Sequence, residues 1–310
     1  MTMPRTRFDR RSLRRWYLGL RRLALAPLSL SGGRVTTLPS DDPERLLVIR
    51  WDRIGDMILT TPLLAALRRR FPSTRLDVLA SPANAPVLRA HPDVDRVVVW
   101  TGRPRSLRGH ESRRALAELR RERYGLVVDP IMDWPLPSAR LAAHLAPLRI
   151  GFGGGGREVF YTLPGPEPDE EAHFLANNER LLAALGITGS FTPPRIGLPP
   201  REPPAALRAL GVQPGGFYPT QRWPFERWVE LVAGLLDSGG VTSAVLLLAP
   251  DDEEALAGVW ATGCPGQPVI RPADAWELAV TIRGLDVLLC NNSGPLHMAG
   301  ALGVPTLSTL

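Results

Sequence analysis

Apolar residues fall along this chain in short unbroken runs, separated by stretches in which they recur at helical spacing. Arg45–Leu46–Leu47–Val48–Ile49–Arg50 predicts a buried strand, and Leu63, Leu64, Ala66 and Leu67 predict the helix after it. Leu76–Ala80 and Arg96–Trp100 read as further strands around a short helix from Ala85, and a helix over Arg113–Arg123 leads to another strand at Gly125–Asp129. Strands that alternate with helices and are apolar on both faces predict a parallel sheet covered on both sides.

From Gly151 to about Pro204 the pattern is interrupted by many Gly and Pro residues around one helical segment, His173–Leu185. It then restarts, with helices at Phe225–Leu236, from Asp252, at Ala275–Arg283 and after Ser293, and strands at Ser243–Leu248, Val269–Ile270, Asp286–Cys290 and Gly303–Leu310. The expected architecture is α/β, with two Rossmann-like parallel-sheet domains facing each other across a cleft. Their bounds are an arm and linker over 1–43, an N-terminal domain over 44–204 and a C-terminal domain over 205–310. Gly151–Gly156 matches the dinucleotide pattern G-x-G-x-x-G, but Arg157–Leu163 after it reads as extended and Pro164 stops it, so a flexible loop over the cleft is the better reading.

A length of 310 residues with 44% apolar content is ample for two cores. The two cysteines, Cys264 and Cys290, are far apart and lack metal-ligand spacing, which argues for a reducing compartment and against a structural metal. No uninterrupted apolar run approaches the roughly 20 residues needed to span a bilayer. Lysine is absent, so the 37 basic residues set against 31 acidic ones are all arginine, and eight of them crowd the first 22 positions against Asp9 alone. Leu13, Trp16, Tyr17, Leu20, Leu23 and Ala24 share one helical face there and arginines fill the other, the pattern of an element that lies on an anionic membrane surface; a solvated arm is the plainer alternative. Arginine forks suit lipid phosphates.

Three motifs carry candidate chemistry. In Leu47–Pro62 a strand ends in a loop holding Asp52 and Asp56, and loops at strand carboxyl ends are where doubly wound folds bind ligands. Asp56 follows Gly55, which admits close approach, and lies near a helix start that favours an ionised carboxylate; a helix cap is the bland reading. In Gln213–Pro224 a glycine-rich turn is followed by Thr220, Gln221, Arg222 and Trp223, suited either to a nucleotide pocket or to a surface loop anchored by the tryptophan. In Leu288–Gly303 a buried strand runs through Asn291, Asn292, Ser293 and Gly294 into a helix that Ser293 or Asn292 can cap and Pro295 can open, an anion site matched to a diphosphate.

Taken in order and spacing, Leu47–Pro62, Arg222–Arg227 and Asn291–Gly303 resemble the family 9 glycosyltransferases, whose best-known members are the lipopolysaccharide heptosyltransferases. The likeness runs from about Arg45 to the end of the chain. It implies a GT-B fold with an acceptor-binding N-terminal half and a nucleotide-sugar-binding C-terminal half. The implied reaction is a metal-independent, inverting transfer of a sugar, typically heptose from ADP-heptose, to a hydroxyl of a lipid-linked saccharide. Asp56 falls on the family's general base. Ser293 and Gly294 fall on the donor turn, with Thr220, Gln221, Arg222, Asn292 and His297 as further donor-binding positions. No cofactor beyond the nucleotide-sugar donor and no nucleic acid is implied, and the expected location is cytoplasmic, on the inner face of the cell membrane.

The chain departs from the family where lysine is common and Gln221 stands, and where aspartate is common and Asn292 stands. Glutamine hydrogen-bonds a phosphate without neutralising it, and asparagine supplies no charged acceptor for hydroxyls. Relatives also continue past Gly303–Leu310, so the C-terminal domain is expected to be incomplete. The competing class is a non-catalytic relative that binds a nucleotide sugar, a glycan or a protein partner; Asp56 and His297 favour the enzyme.

Overall fold

The computed structural model describes residues 10–25, 27, 33, 35, 38, 41–102, 107–133, 135–163, 165–189, 191–202, 208–216, 218–249 and 254–309. The side chains of Arg5 through Arg15, together with Phe217, the helix start at Asp252, the boundary at 204–205 and Leu310, lie outside the described residues. Compact packing divides the chain into one unit of Met1–Arg50, Leu63–Leu79 and Trp100–Phe191 and another of Trp51–Pro62, Ala80–Val99 and Thr192–Leu310.

Helix α1 (Arg10–Leu25) precedes the first sheet, built from β1 (Arg45–Arg50), β2 (Arg75–Ala80), β3 (Arg96–Val99), β4 (Leu126–Asp129) and β5 (Leu148–Gly151) in the order β3-β2-β1-β4-β5. β1 pairs parallel with β4 in the register Leu46 to Leu126, and β4 pairs parallel with β5. Leu46, Leu47, Val48 and Ile49 are wholly buried, which is why β1 reads as an unbroken apolar run rather than an alternating one.

Helix α2 (Ile54–Arg70) follows β1 and contains Pro62. Proline cannot donate to the carbonyl of Ile58, and the Thr61 hydroxyl donates to that carbonyl instead at 2.7 Å. The Arg195 N–H in turn donates to Thr61 Oγ1 at 2.9 Å. Met57, Ile58, Leu63, Leu64 and Leu67 are all buried, so this helix is apolar on every side and belongs to the interior. Helices α3 (His110–Arg121), α4 (Pro137–Leu145) and α5 (Phe174–Ala183) complete the first set.

The second sheet contains β6 (Ala209–Gln213), β7 (Ser243–Leu247), β8 (Val269–Ile270), β9 (Val287–Asn291) and β10 (Thr306–Thr309), ordered β10-β9-β6-β7-β8 and parallel throughout. It alternates with α6 (Phe225–Asp237), α7 (Glu254–Gly263), α8 (Ala275–Arg283) and α9 (Gly294–Leu302). Leu210, Val212, Leu246 and Leu289 pack against Trp228 and Val232 of α6 and Trp260 of α7. Each large side chain so buried contributes about 1.5–3 kcal/mol. Trp260 also donates its indole N–H to the Gln267 carbonyl at 3.1 Å, so its one polar atom is satisfied.

Asp286 fixes the start of β6 beside β9. Its carboxylate accepts from the N–H groups of Arg208 and Ala209, both at 2.8 Å, and pairs with Arg201. The Ala209 N–H, with those partners, holds this carboxyl below its ordinary value.

One expectation is corrected here. Arg157–Leu163 is not simply extended: Arg157–Phe160 forms a 3-10 turn after three successive glycines with positive φ, Gly154, Gly155 and Gly156. The Arg157 guanidinium is buried in an ion pair with Asp129 at 2.9 Å and draws this stretch inward. Gly153 N–H donates to the Pro166 carbonyl at 2.8 Å at the start of this loop.

Candidate active site at two helix starts

The first turn of α2 meets the first turn of α9 within one compact unit. A Cβ placed on Gly55 would lie 2.7 Å from His297 Cδ2 and 3.5 Å from the Gly294 Cα. A Cβ on Gly294 would lie 3.4 Å from Ile54 Cβ. Glycine at both positions therefore lets the two backbones touch and lets the imidazole cross the chain one residue before Asp56.

Asp56 is not a helix cap. It is the third residue of α2, in the turn where the dipole favours a carboxylate, and its Oδ2 accepts from Arg53 Nε at 2.8 Å. Its side chain is 15% exposed, whereas that of Arg53 is 53% exposed. The Thr60 hydroxyl donates to the Asp56 carbonyl at 2.7 Å and holds the turn.

Ser293 occupies the cap position of α9 with extended backbone, and Pro295 stands in the first turn. Its hydroxyl does not cap the helix. It lies 3.2 Å from the Asn291 carbonyl and 3.4 Å from Gln213 Oε1, directed back toward the strand ends. The first N–H groups of α9 are thus left without a side-chain cap, the receptive state of a helix start toward an anion.

Asn291, which sequence reasoning passed over in favour of its neighbour, is the buried hub of this turn. Its amide N–H₂ donates to the carbonyls of Pro214 at 2.6 Å and Gly215 at 3.3 Å, and its Oδ1 accepts from Trp223 N–H at 3.2 Å and Thr309 Oγ1 at 2.8 Å. The available signal was a polar residue closing a buried apolar strand, a place where an amide must be fully bonded. Asn292 is exposed.

The second cluster is only partly brought to this place. Pro219–Gln221 is a 3-10 turn, and Thr220, Gln221 and Arg222 are exposed on it. Arg222 Nε donates to the Gly216 carbonyl of its own loop at 2.8 Å. Among the described residues no hydrogen bond joins these three side chains to the 291–297 turn. Trp223 is the anchor, through its N–H to Asn291 and an edge-to-face contact with Trp228 at 4.8 Å.

Beside the helix starts lies a mainly apolar pocket of about 230 Å³. Ile54 and Gln213 line one side, Leu247, Leu248 and Ala249 the end of β7, and Pro272 to Ala275 the approach to α8. Asp274 caps α8 by accepting from the N–H groups of Trp276 and Glu277 at 2.8 and 2.9 Å, and it pairs with Arg89 at 3.2 Å. The half-buried Ser293 and buried Gln213 connect the pocket to the helix start, a role for Gln213 that sequence reasoning did not assign. Among the described residues no three His, Cys, Asp or Glu side chains converge as metal ligands. Both cysteines are free and buried, and burial pushes the Cys290 thiol up to about 12, so it is a packing residue.

The profile of glycosyltransferase family 9 (heptosyltransferase) matches residues 113–309. The chain belongs to glycosyltransferase family 9. Its family membership makes it a glycosyltransferase enzyme, as the three motifs led one to expect.

Similar curated proteins include lipopolysaccharide heptosyltransferase 3 of Escherichia coli, 25% identical over 82% of this chain and 79% of that one. Lipopolysaccharide heptosyltransferase 1 of Pseudomonas aeruginosa is 27% identical over 85% of this chain and 78% of that one. Among solved structures, a glycosyl transferase family 9 protein from Veillonella parvula superposes with a TM-score of 0.73 at 22% identity, covering 88% of this chain and 82% of that one. The E. coli heptosyltransferase WaaC, solved with ADP-2-deoxy-2-fluoro heptose, gives 0.69 at 20% identity, covering 85% and 88%. These likenesses show a GT-B-like fold for this family 9 chain.

Proposed function

We propose that this family 9 enzyme transfers heptose from ADP-heptose to a hydroxyl of a lipid-linked saccharide, with inversion and without a metal. The observation that carries the reading is the contact of the Asp56 helix start with the Gly294–His297 helix start. It supports a base and a diphosphate site placed side by side. In the proposed reaction Asp56 takes the proton of the acceptor hydroxyl as its oxygen bonds to the anomeric carbon, and the bond to the diphosphate breaks on the opposite face. The charge gained by the departing ADP is met by the N–H groups of Ser293 and Gly294 and by the imidazole of His297. A carboxylate held by exposed Arg53 at the helix start stays oriented while open to an acceptor.

The apolar pocket between Ile54, Leu248 and Leu278 suits a flat nucleobase, and its position at the carboxyl ends of β6 and β7 is where doubly wound sheets take nucleotides. Thr220, Gln221, Arg222 and Asn292 stand on exposed turns at the ends of β6 and β9, and we assign them to the phosphates and hydroxyls of the donor. Gln221 makes that contact without a charge. The arm is assigned to an anionic membrane surface at the inner face of the cell membrane, where a lipid-linked acceptor is presented; among the described residues no helix is long and apolar enough to cross a bilayer. Calorimetry with ADP, GDP and UDP and their sugars tests the donor side. ADP and ADP-heptose are expected to bind at least tenfold more tightly than the others, and absence of any nucleotide binding would overturn the assignment.

A further inference from the structure

Helix α1 carries two opposed faces. Trp16, Tyr17, Leu20 and Leu23 recur at helical spacing and are exposed, Trp16 at 68% and Leu23 at 72%. On the other side Leu18, Arg21 and Leu25 are half-buried, with Arg22 beside them. Arg21 Nε donates to the Gly155 carbonyl at 2.6 Å, and Arg22 Nε pairs with Glu158 at 2.9 Å. A Cβ on Gly156, whose φ is +89°, would lie 3.0 Å from Leu25 Cδ1 and 3.3 Å from the Arg22 Cα, so the helix rests directly on the glycine loop. Glu158 closes the link from the loop side, accepting from the Gly156 N–H at 3.1 Å.

The next residue is Arg157, whose buried guanidinium is bonded to Asp129 and Tyr161, at 2.9 and 3.0 Å. Asp129 is the last residue of β4, at the carboxyl end of the first sheet. One side of α1 thus holds a loop whose Arg157 side chain reaches a strand end, and the other side presents exposed aromatic and aliphatic groups, Tyr17 with the Arg21 guanidinium 5.8 Å from its ring centroid.

We propose that α1 is a strap whose Trp16–Leu23 face enters an anionic phospholipid surface while its Arg21–Leu25 face orders the Gly153–Glu158 loop. This deepens, and rests on, the reading of a lipid-linked acceptor. A 16-residue helix is marginal alone in water, and a bilayer interface orders it. The helix that binds lipid is the same helix that docks on the loop, so each event favours the other through one folding equilibrium. The occupant is lipid rather than a second copy because all charged groups of α1 are arginine, in a chain of net charge +6, where a second copy would bring like charge against like.

The experiment is amide hydrogen exchange on the full chain, with and without vesicles of phosphatidylglycerol and phosphatidylcholine, and with phosphatidylcholine alone. Anionic vesicles are expected to slow exchange across residues 153–158 by roughly tenfold or more. The Trp16→Ser/Leu20→Ser/Leu23→Ser variant is expected to lose both vesicle binding and the slowing. Glu158→Gln and Arg22→Gln should each lose the slowing and still bind vesicles, more weakly by no more than about the same tenfold. Native binding with unchanged loop exchange overturns the proposal. So does a triple variant that binds vesicles like the native chain, or a native dimer that this variant dissociates while vesicles do not bind. Transfer to a soluble acceptor without vesicles reads the Asp56 site separately, so failure of the strap and failure of the proposed reaction are told apart.

Discussion

Gly55→Ala places one methyl group at the junction on which the candidate site depends. Its Cβ would stand 2.7 Å from His297 Cδ2, where ordinary contact begins near 3.4 Å, so the ring must yield by roughly 0.7–1 Å or leave its rotamer. Overpacking of this kind costs about 1–3 kcal/mol, and alanine recovers up to about 1 kcal/mol over glycine inside a helix. The net loss of stability is therefore about 0–3 kcal/mol, a shift of a few degrees in Tm for a chain of this size. The catalytic loss is expected to be larger in relative terms, because a displacement of about 1 Å at a reacting centre costs on the order of a hundredfold. Transfer of heptose to a saccharide acceptor, read as ADP release, measures it beside thermal unfolding of the same sample. A variant with native Tm and native kcat/KM would show that His297 is not held against the Asp56 helix in the working enzyme.

Three further outcomes follow from the same structure. His91 is buried and its ring is pushed down to about 4 from 6.5, chiefly by burial and secondarily by Arg195 against the opposing pull of Asp93. Its neutral form therefore stabilises the fold fully above pH 6.5, and up to about 3 kcal/mol is lost as pH falls toward 4; urea unfolding at stepped pH should show this slope in the native chain and a flatter one in His91→Gln, and equal slopes would refute it. Asn291→Ala leaves the Trp223 N–H, the Pro214 carbonyl and the Thr309 hydroxyl without their partner, for a loss of about 2–4 kcal/mol in urea unfolding and weaker ADP binding, whereas unchanged stability would remove the hub assignment. Gln221→Lys should tighten ADP by about 1–3 kcal/mol in calorimetry by adding a charge-assisted contact, and no change would place residue 221 away from the phosphates.

The elements most legible in the sequence were those whose burial is continuous. β1, with four wholly buried residues, appears where the pattern puts it, and so does Ala275–Arg283, where Ala275, Ala279 and Ile282 are buried at helical spacing behind the Asp274 cap. β6 escaped notice because Ala-Leu-Gly-Val-Gln has little apolar mass: Gly211 is there so that Leu285 can occupy the space of its side chain, and a Cβ there would overlap Leu285 Cδ1. That demand comes from a residue 74 positions away, and no local pattern contains it. α4 and β5 were missed for a similar reason, as short elements among Pro and Ala whose burial is supplied by neighbours.

At the site, the motifs revealed which turns matter but not which side chains face inward. Asn291 and Asn292 are chemically identical, and only the end of β9 decides that the first is a buried clamp and the second is exposed. Ser293 or Asn292 was expected to cap α9; Ser293 holds the cap position, yet its hydroxyl turns to Gln213 and leaves the helix start open. The meeting of Gly55 with His297 could not be read from spacing at all, because it joins segments 242 residues apart.

The most direct test of the proposed reaction is single-turnover transfer by Asp56→Asn, with ADP-heptose affinity measured on the same protein. Asparagine keeps the size and the bond to Arg53 but takes no proton at neutral pH. The proposed mechanism predicts a fall in the transfer rate of roughly a hundredfold or more, with ADP-heptose affinity changed by less than about threefold. A variant that transfers heptose at the native rate, or that loses stability while keeping native specific activity, would contradict Asp56 as the base.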